Sequence, residues 1–182
     1  MTATPSMYEQ VMGAEFATLA AAVQRFHRLA GRHELHGWVE TTAPTSVLAK
    51  VLALGLGTPM RASRGPIRFE LHAEPHRETW TRYFPTQAMR SRLHRREREV
   101  VESLGVARLS FELCATESCL VMRLRNLHFL GVRCPVWLAP RIVAEESGSG
   151  DRLQFRIEAA VPFVGVVASY RGHLVVPKEE AS

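Results

Sequence analysis

The sequence lacks an apolar run long enough to cross a bilayer. Its longest near-apolar stretch, residues 47–56, contains Lys50 and is about half as long as the roughly 20 residues that a transmembrane helix needs. Residues 1–6 also lack the positive-then-apolar order of a secretory signal. We therefore expect no transmembrane segment and no secretion by that route.

Cysteine is scarce, and the usual cofactor motifs are missing. Cys114, Cys119 and Cys134 are odd in number and lack the spacing of a zinc site or a redox pair. Free thiols suit a reducing compartment, so a cytoplasmic location is predicted. The eight histidines include no pair with a carboxylate at diagnostic metal-binding spacing. Because no phosphate-binding glycine loop and no nucleophile elbow occurs either, we predict neither a metal site nor a bound cofactor.

The chain is basic without having an obvious basic tail. Its net charge is +5, with 23 basic and 18 acidic residues spread along the sequence. The densest basic cluster, interrupted by Glu97 and Glu99, consists of Arg90, Arg92, Arg95, Arg96 and Arg98. Interleaved charges of both signs are typical of a solvated surface, so a nucleic-acid partner is not favoured.

Two helices are predicted in the first third of the chain. Ser6 and Glu9 form a capping box, and apolar residues at three- and four-residue spacing predict an amphipathic helix over residues 6–30, ended by Gly31. A second helix, over residues 45–56, is capped by Thr45 and is apolar around most of its circumference. It could lie in the core or on a membrane surface, and the missing polar face favours the core.

Most of the remaining sequence alternates in polarity. A short strand is predicted over residues 34–40, and residues 66–176 contain roughly eight further strands before a polar tail at 177–182. No helix of crossover length separates most of these strands, so they must pair antiparallel. The prediction is a single α+β domain, 1–182, in which a large curved antiparallel sheet is covered by two N-terminal helices.

The connections indicate how the sheet is shaped. Residues 115–118 and 146–151 have the composition of hairpin loops. Residues 131–140 contain Pro135 and Pro140, which exclude a central strand, so we expect an apolar segment that packs on a barrel mouth or a sheet edge. The sheet is therefore lipocalin-like or a half-barrel, and the helices cover it unless it closes on itself.

Residues 78–84 carry the most distinctive charged motif. One face of the predicted strand holds two charges and two rings, at Glu78, Trp80, Arg82 and Phe84. If the rings face inward, both charges do too, and each needs a partner, which Arg92 or Glu102 could supply. Alternatively, Tyr83 and the threonines face the core and the charges lie in water.

The last strand adds a second group of candidate residues. Tyr170 and Gly172 share a face, and Gly172 indicates a bulge, a close approach of another backbone or a ligand, or simple sheet curvature. The residues predicted to bind a ligand are Glu78, Trp80, Arg82, Arg92, Glu102, Tyr170 and Arg171.

A set of short motifs from Met7 to Val176 resembles one protein family. The motifs are residues 78–84, Ser91-Arg92, Glu102 with Leu104-Gly105, Leu130-Gly131, Pro135 with Leu138-Ala139-Pro140, Pro162, Gly165 and Tyr170-Arg171-Gly172. Together they are similar to the bacterial domain-of-unknown-function family 4166. The resemblance implies a role in small-molecule metabolism and, as a partner, a nucleotide-binding module of the saccharopine-dehydrogenase type. Residues 132–135 depart from the family's Pro-Leu-Pro-like stretch.

Three functions are compatible with these features. The leading hypothesis is a ligand-binding or accessory module whose cavity holds a lipid-like or other apolar small molecule. The second is an enzyme that uses the same cavity, with Glu78 or Glu102 as general base and Arg82 or Arg92 stabilising negative charge. The third is a structural or partner-binding domain with a solid core. The residues alone do not decide whether a reaction is catalysed.

Overall fold

The computed structural model describes residues 4–178, most of which belong to one antiparallel sheet. Its strands are β1 (Gly31–Thr42), β2 (Ser63–Glu74), β3 (Arg77–Tyr83), β4 (Ala88–Arg96), β5 (Glu99–Leu104), β6 (Ala107–Thr116), β7 (Cys119–Phe129), β8 (Val132–Arg133), β9 (Arg141–Ser149), β10 (Arg152–Val161) and β11 (Gly165–Val175). Sequential neighbours pair from β1 to β7, and β9, β10 and β11 continue the order back to β1.

The sheet closes into a barrel. Within the described residues ten strands form the ring, and the two-residue β8 adds to the edge of β7. The predicted antiparallel, lipocalin-like type of fold is confirmed, whereas the half-barrel alternative is imprecise because the sheet closes. The predicted strand at 34–40 and roughly eight further strands are close to the ten that form the ring. Alternation identifies single strands, but it does not show that the first and last strands of a sheet meet.

Close approach of β1 and β11 is part of this closure. A Cβ atom on Gly172 would lie 2.0 Å from the carbonyl oxygen of Trp38, and one on Gly37 would lie 1.8 Å from that of His173. Both positions therefore require glycine, and of the interpretations of Gly172 the close backbone approach is correct. The register shifts of the barrel lie elsewhere, after Ser110 and after Ala159.

The N-terminal helix begins as predicted but does not run to residue 30. Ser6 and Glu9 form the capping box, with backbone to side-chain distances of 2.8 and 3.3 Å. The helix is then broken into α1 (Met7–Met12), a 3-10 turn (Gly13–Thr18) and α2 (Ala21–Arg28). Gly13 has φ 57°, and Leu19 and Ala20 are extended. These breaks let apolar residues of all three pieces reach the barrel interior, which one straight helix could not do.

These helices close one end of the barrel, which we call the plugged end. It is formed by the hairpin turns at residues 75–76, 97–98, 117–118 and 150–151. The amide of Ala20 donates to the carbonyl of Ser118 at 2.8 Å, and the Arg25 guanidinium donates to the carbonyl of Gly150 at 2.8 Å. The helices thus plug an end of the barrel instead of covering a face of the sheet, which corrects the predicted two-helix cover.

The predicted second helix, α3 (Val47–Leu56), lies at the opposite end, which we call the open end. Its cap is Ser46, whose Oγ accepts from the amide of Ala49 at 3.0 Å; Thr45 instead accepts from the amide of Val166. Ala49 and Ala53 are buried, but the outward side of the helix is exposed to solvent, so the prediction of a core helix is wrong. In the part of the chain that is described, no helix has the length and apolar character needed to span a membrane.

The segments predicted to connect strands are found, but not all of them have the predicted length. Residues 131–140 pass across the open end of the barrel, where they border the interior, as expected. The turn at Glu117 and Ser118 is a tight hairpin with positive φ at both residues. The predicted loop at 146–151 is too long, because β9 extends to Ser149 and β10 begins at Arg152. Of the predicted tail, residues 179–182 lie outside the described residues.

The barrel interior is filled near the plug and open beyond it. Phe26 of α2, Phe69 of β2 and Trp80 of β3 pack edge to face, with ring centroids 5.6 to 5.8 Å apart. This aromatic cluster joins the plug to the wall. The space between it and the open end contains the cavity described below.

Replacing Ser6 by alanine should lower the free energy of unfolding by about 1 kcal/mol, because the amide of Glu9 loses its acceptor at the start of α1. The measurement is a denaturant titration. Ser149→Ala is the control, because that exposed serine makes no side-chain hydrogen bond with the described residues. Equal midpoints for the two variants would show that the cap does not stabilise the plug.

Candidate functional site

A cavity of about 390 Å³ occupies the half of the barrel that faces the open end. This volume is within the range of about 300–1,000 Å³ that is usual for small-molecule sites. Its walls are apolar and include Met89, Leu104, Leu109, Phe111, Met122, Leu127, Phe129, Ile142 and Ile157. The polar residues at its inner end, the floor, are Trp80, Arg82, Glu102, Glu146 and Tyr170, and Thr58 and Arg133 border the cavity nearer the open end.

The motif on β3 faces the interior. The side chains of Glu78, Trp80, Arg82 and Phe84 are all buried. On the other face, the Tyr83 hydroxyl donates to Glu70 at 3.1 Å, and the guanidinium of Arg68 lies 3.7 Å from the Tyr83 ring. The alternative orientation, with Tyr83 inward, is therefore wrong.

Arg82 is a buried cation with few partners. Only 7% of the residue is exposed, and its Nη1 donates to Ser91 Oγ at 3.1 Å. Its guanidinium lies 4.9 Å from the Trp80 ring and 5.6 Å from the Phe69 ring. Among the described residues it forms no ion pair within 4.0 Å. A guanidinium has five N–H donors, so Arg82 has donors available at the cavity floor.

Glu78 and Arg82 do not form the pair that their shared face suggests. Residues four apart on a strand are about 13 Å apart, too far for direct contact. Glu78 instead accepts a hydrogen bond from Trp80 Nε1 at 2.7 Å. It lies on the plug side of Trp80 and does not line the cavity. The predicted ligand contact at Glu78 is therefore not present in this cavity.

The buried position of Glu78 changes its acidity. Burial, with a smaller contribution from the nearby Glu146, raises the pKa of its carboxyl to about 7, although His27 and the Trp80 hydrogen bond oppose the shift. Near neutral pH this carboxyl is therefore divided between its protonated and ionised forms.

His27 and Glu146 join the plug to the barrel wall. Nε2 of His27, on α2, lies 2.6 Å from Oε2 of Glu146, on β9, and both side chains are buried. The Tyr8 ring stacks on the His27 ring at 3.6 Å. Burial and the carboxylates of Glu78, Glu146 and Glu102 raise the pKa of Tyr8 well above its usual value. A polar cluster thus lies directly beneath the cavity floor.

Sequence reasoning missed His27 and Glu146. The loop predicted at 146–151 includes Glu146, but the alternation of Ala144, Glu146 and Gly148 is a signal that these residues share the inward face of a strand. His27 lies on a helix whose position at the end of the barrel depends on the tertiary fold. Ser91, which holds Arg82, was also missed, although it alternates with the buried Met89 and Leu93.

The other predicted site residues separate into two groups. Glu102 and Tyr170 line the cavity floor, together with Trp80 and Arg82. Burial raises the pKa of the Tyr170 hydroxyl, and Arg82 opposes that shift. Arg92 and Arg171 are exposed on the outer face, and Arg171 forms an ion pair with Glu40 at 3.0 Å. Neither Arg92 nor Arg171 lines the barrel cavity, and Arg171 instead borders a second pocket, on the outer face, with Trp38 and Glu40.

The cysteines and possible metal ligands lie outside this polar floor. Cys114, Cys119 and Cys134 are free thiols, and Cys134 borders the cavity near the open end. Within residues 4–178 no three histidine, cysteine or acidic side chains are grouped so that they could hold a metal ion. The chemistry of the site is thus hydrogen bonding at the floor, where Arg82 and Tyr170 carry donors and Glu102 carries acceptors, combined with apolar contact along the walls.

Comparison with known proteins gives a family match and similarities to solved structures. A family model described as a domain of unknown function (DUF4166) matches residues 19–174. No curated protein matches the sequence. The crystal structure of Rv2717c from M. tuberculosis is similar with a TM-score of 0.49 and 12% identity, covering 88% of this chain and 99% of that chain. A similarity at this level carries no argument about function.

Replacing Glu146 by alanine should lower the free energy of unfolding by about 3 kcal/mol or more, because it leaves His27 buried without its partner. Glu145→Ala is the matched control: the neighbouring glutamate is exposed, so its loss should change stability by less than about 0.5 kcal/mol. Denaturant titration of both variants measures the difference. If the two variants are equally stable, the contact does not hold the plug.

Glu78 should make the protein less stable as the pH rises. Its pKa of about 7 in the folded state is above the ordinary value of 4.5, so the folded state holds its proton more tightly. The resulting stabilisation is complete below about pH 4.5 and is lost as the pH rises through about 7. For a shift of this size the loss is on the order of 3 kcal/mol.

The measurement is the free energy of unfolding at pH 5 and pH 8. Glu78→Gln cannot titrate and should lose distinctly less stability over this range than the unmodified protein. Glu97→Gln, in an exposed turn, is the control and should behave like the unmodified protein. An undiminished pH dependence in Glu78→Gln would contradict the assignment.

Proposed function

The chain belongs to the DUF4166 family, and we propose that its barrel binds an elongated apolar molecule whose polar head group contacts Arg82. The observation that carries this proposal is a cavity with apolar walls that ends on a buried guanidinium without an ion pair among the described residues. Burying an unpaired charge costs several kcal/mol. A ligand that accepts hydrogen bonds from Arg82 would offset part of this cost.

The floor also indicates what the head group must offer. Arg82 and Tyr170 present donors, whereas Glu102 borders the same floor and makes no hydrogen bond with the described residues. Glu146 is already engaged by His27. A head group that both accepts and donates, such as an amide or a carboxylic acid that keeps its proton, would satisfy Arg82 and Glu102 together. A plain hydrocarbon would satisfy neither.

The other hypotheses differ in how well the geometry supports them. A catalytic role at Glu78 is not supported, because this carboxyl lies behind Trp80 and outside the cavity; Glu102 is then the general base that an enzyme of this type would use. The solid-core alternative predicts that no cavity of this size exists, so the observed volume argues against it. A cytoplasmic location and a partner module of the saccharopine-dehydrogenase type stay predictions.

Ligand binding can be tested by displacement of a fluorescent probe that brightens in apolar sites. Hexadecanoic acid and its amide should displace the probe, and hexadecane should do so far less well. Arg82→Met keeps most of the volume but removes the donors, so it should weaken binding of the acid by roughly 10- to 100-fold, as expected for a charged hydrogen bond. Native mass spectrometry of the purified protein would show a co-purifying molecule directly.

Arg95→Met is the matched control, because Arg95 lies on the exposed part of β4 and should not affect the affinity. If Arg82→Met and Arg95→Met bind the acid equally well, Arg82 does not receive the head group. If neither the acid nor the amide displaces the probe from the unmodified protein, the proposed ligand class is wrong.

A further inference from the structure

The open end of the barrel carries an exposed apolar surface that the proposed ligand site does not explain. Within the described residues, twelve large hydrophobic residues are exposed, and all except Trp38 and Val175 lie in connections at this end. Scattered exposed apolar residues are normal in proteins, but a concentration in one place marks an interaction surface. We call this surface the open-end face; it comprises the outward side of α3, residues 130–140 and the turns at 105–106 and 162–164.

The helix α3 is apolar around its circumference except at Lys50, which is exposed. Ala49 and Ala53 are buried in a small cluster with Val167 of β11, and Leu52 and Leu56 border the cavity. The outward side exposes Val47, Leu48, Val51 and Leu54. Val47 is 80% exposed, so this row of aliphatic side chains has no cover within the barrel. Such a row is costly in water unless something else covers it.

Backbone contacts join α3 to the rest of the open-end face. The amide of Val106 donates to the carbonyl of Gly55 at 3.2 Å, and the amide of Leu130 donates to the carbonyl of Val106 at 2.9 Å. Gly105 allows this approach, because a Cβ at its position would lie 2.1 Å from the Gly55 oxygen. The helix, the 105–106 turn and the 130–140 segment are therefore fixed side by side around the mouth of the cavity.

The largest exposed rings also lie on this face. Phe163, at the tip of the turn between β10 and β11, is 97% exposed, and Trp137 is 71% exposed. Val136, next to Trp137, is 91% exposed. Tryptophan is enriched where a protein meets the boundary between lipid and water, because its ring has an apolar body and a polar N–H.

Charge distinguishes the two ends of the barrel. The five connections at the open end, residues 43–62, 84–87, 105–106, 130–140 and 162–164, contain no acidic residue. Their charged residues are Lys50, Arg61 and Arg133, and all three are exposed. At the plugged end, the described helices and turns include the acidic residues Glu9, Glu15, Glu97, Glu117 and Asp151. The open-end face is thus apolar and purely basic.

We propose that the open-end face docks onto an anionic phospholipid membrane surface. The outward row of α3, Trp137 and Phe163 enter the boundary of the acyl chains, while Lys50, Arg61 and Arg133 contact the phosphate groups. The absence of carboxylates from these connections removes repulsion by anionic lipids, and the mouth of the cavity then opens on the membrane. Docking is independent of whether the cavity binds the ligand proposed above.

The test is co-sedimentation with vesicles. The purified protein should sediment with vesicles that mix phosphatidylglycerol and phosphatidylcholine, and binding should weaken in pure phosphatidylcholine and at high salt. The double variant Trp137→Ser, Phe163→Ser should partition at least roughly tenfold less, since two rings are lost from the interface. Both residues are exposed, so the fold should tolerate the change.

Trp38→Ser is the matched control, because Trp38 is 49% exposed but lies on the barrel wall. Binding equal to that of the unmodified protein is expected for Trp38→Ser and for Arg82→Met, and the latter separates docking from ligand binding. Absence of binding by the unmodified protein would overturn the proposal, as would an equal loss in Trp38→Ser. A dimer that the double variant converts to a monomer, without vesicle binding, would show that a second copy covers this face instead.

Discussion

Antiparallel pairing of β1 with β11, and of β6 with β7, closes the sheet on itself. Closure pairs the strand edges that an open sheet would expose. It also encloses an interior that is wider than that of an eight-stranded barrel, which side chains just fill. The side chains of the barrel wall therefore do not fill the interior. The N-terminal helices fill one end of it, and the remaining space is a cavity of about 390 Å³.

The polar groups inside the barrel differ in whether a partner offsets the cost of burying them. The contact between His27 Nε2 and Glu146 ties the plug to the wall and offsets part of the cost of burying both groups, although His27 Nδ1 has no hydrogen-bond partner among the described residues. Arg82 contacts Ser91 and two aromatic rings, but it makes no ion pair with the described residues. A chain selected for stability alone would have little reason to keep such a residue. Burying this guanidinium without an ion pair lowers the stability of the fold. Such locally unfavourable features are expected at functional sites.

The two ends of the barrel differ in exposed apolar surface and in charge. The plugged end is held by hydrogen bonds from Ala20 and Arg25 to hairpin carbonyls and carries charges of both signs. The open end exposes the outward row of α3 and the rings of Trp137 and Phe163, and its connections carry only basic charges. The cavity is closed by the plug at one end and is bordered mostly by apolar residues at the other, which is the arrangement that the proposed entry of an apolar ligand through the open end requires.

The sequence by itself determined the local elements, because their signals involve residues close in the chain. The capping box at Ser6, the strands that alternate in polarity and the apolar segment around Pro135 were all predictable. Trp80, Arg82, Glu102 and Tyr170 are among the predicted ligand-binding residues and border the cavity. The sequence leaves both orientations of β3 open, since each face carries large side chains.

Only the tertiary structure decided what depends on distant partners. Because the ring closes, the face of β3 that carries Trp80 and Arg82 lies inside the barrel, as does Glu146. Arg92 and Arg171 lie outside. The first helix ends at Gly13, and its pieces fit into the end of the barrel. The helix α3 lies on the surface, although its composition resembles that of a core helix. Periodicity reports which residues share a face, whereas burial depends on what the rest of the chain brings against that face.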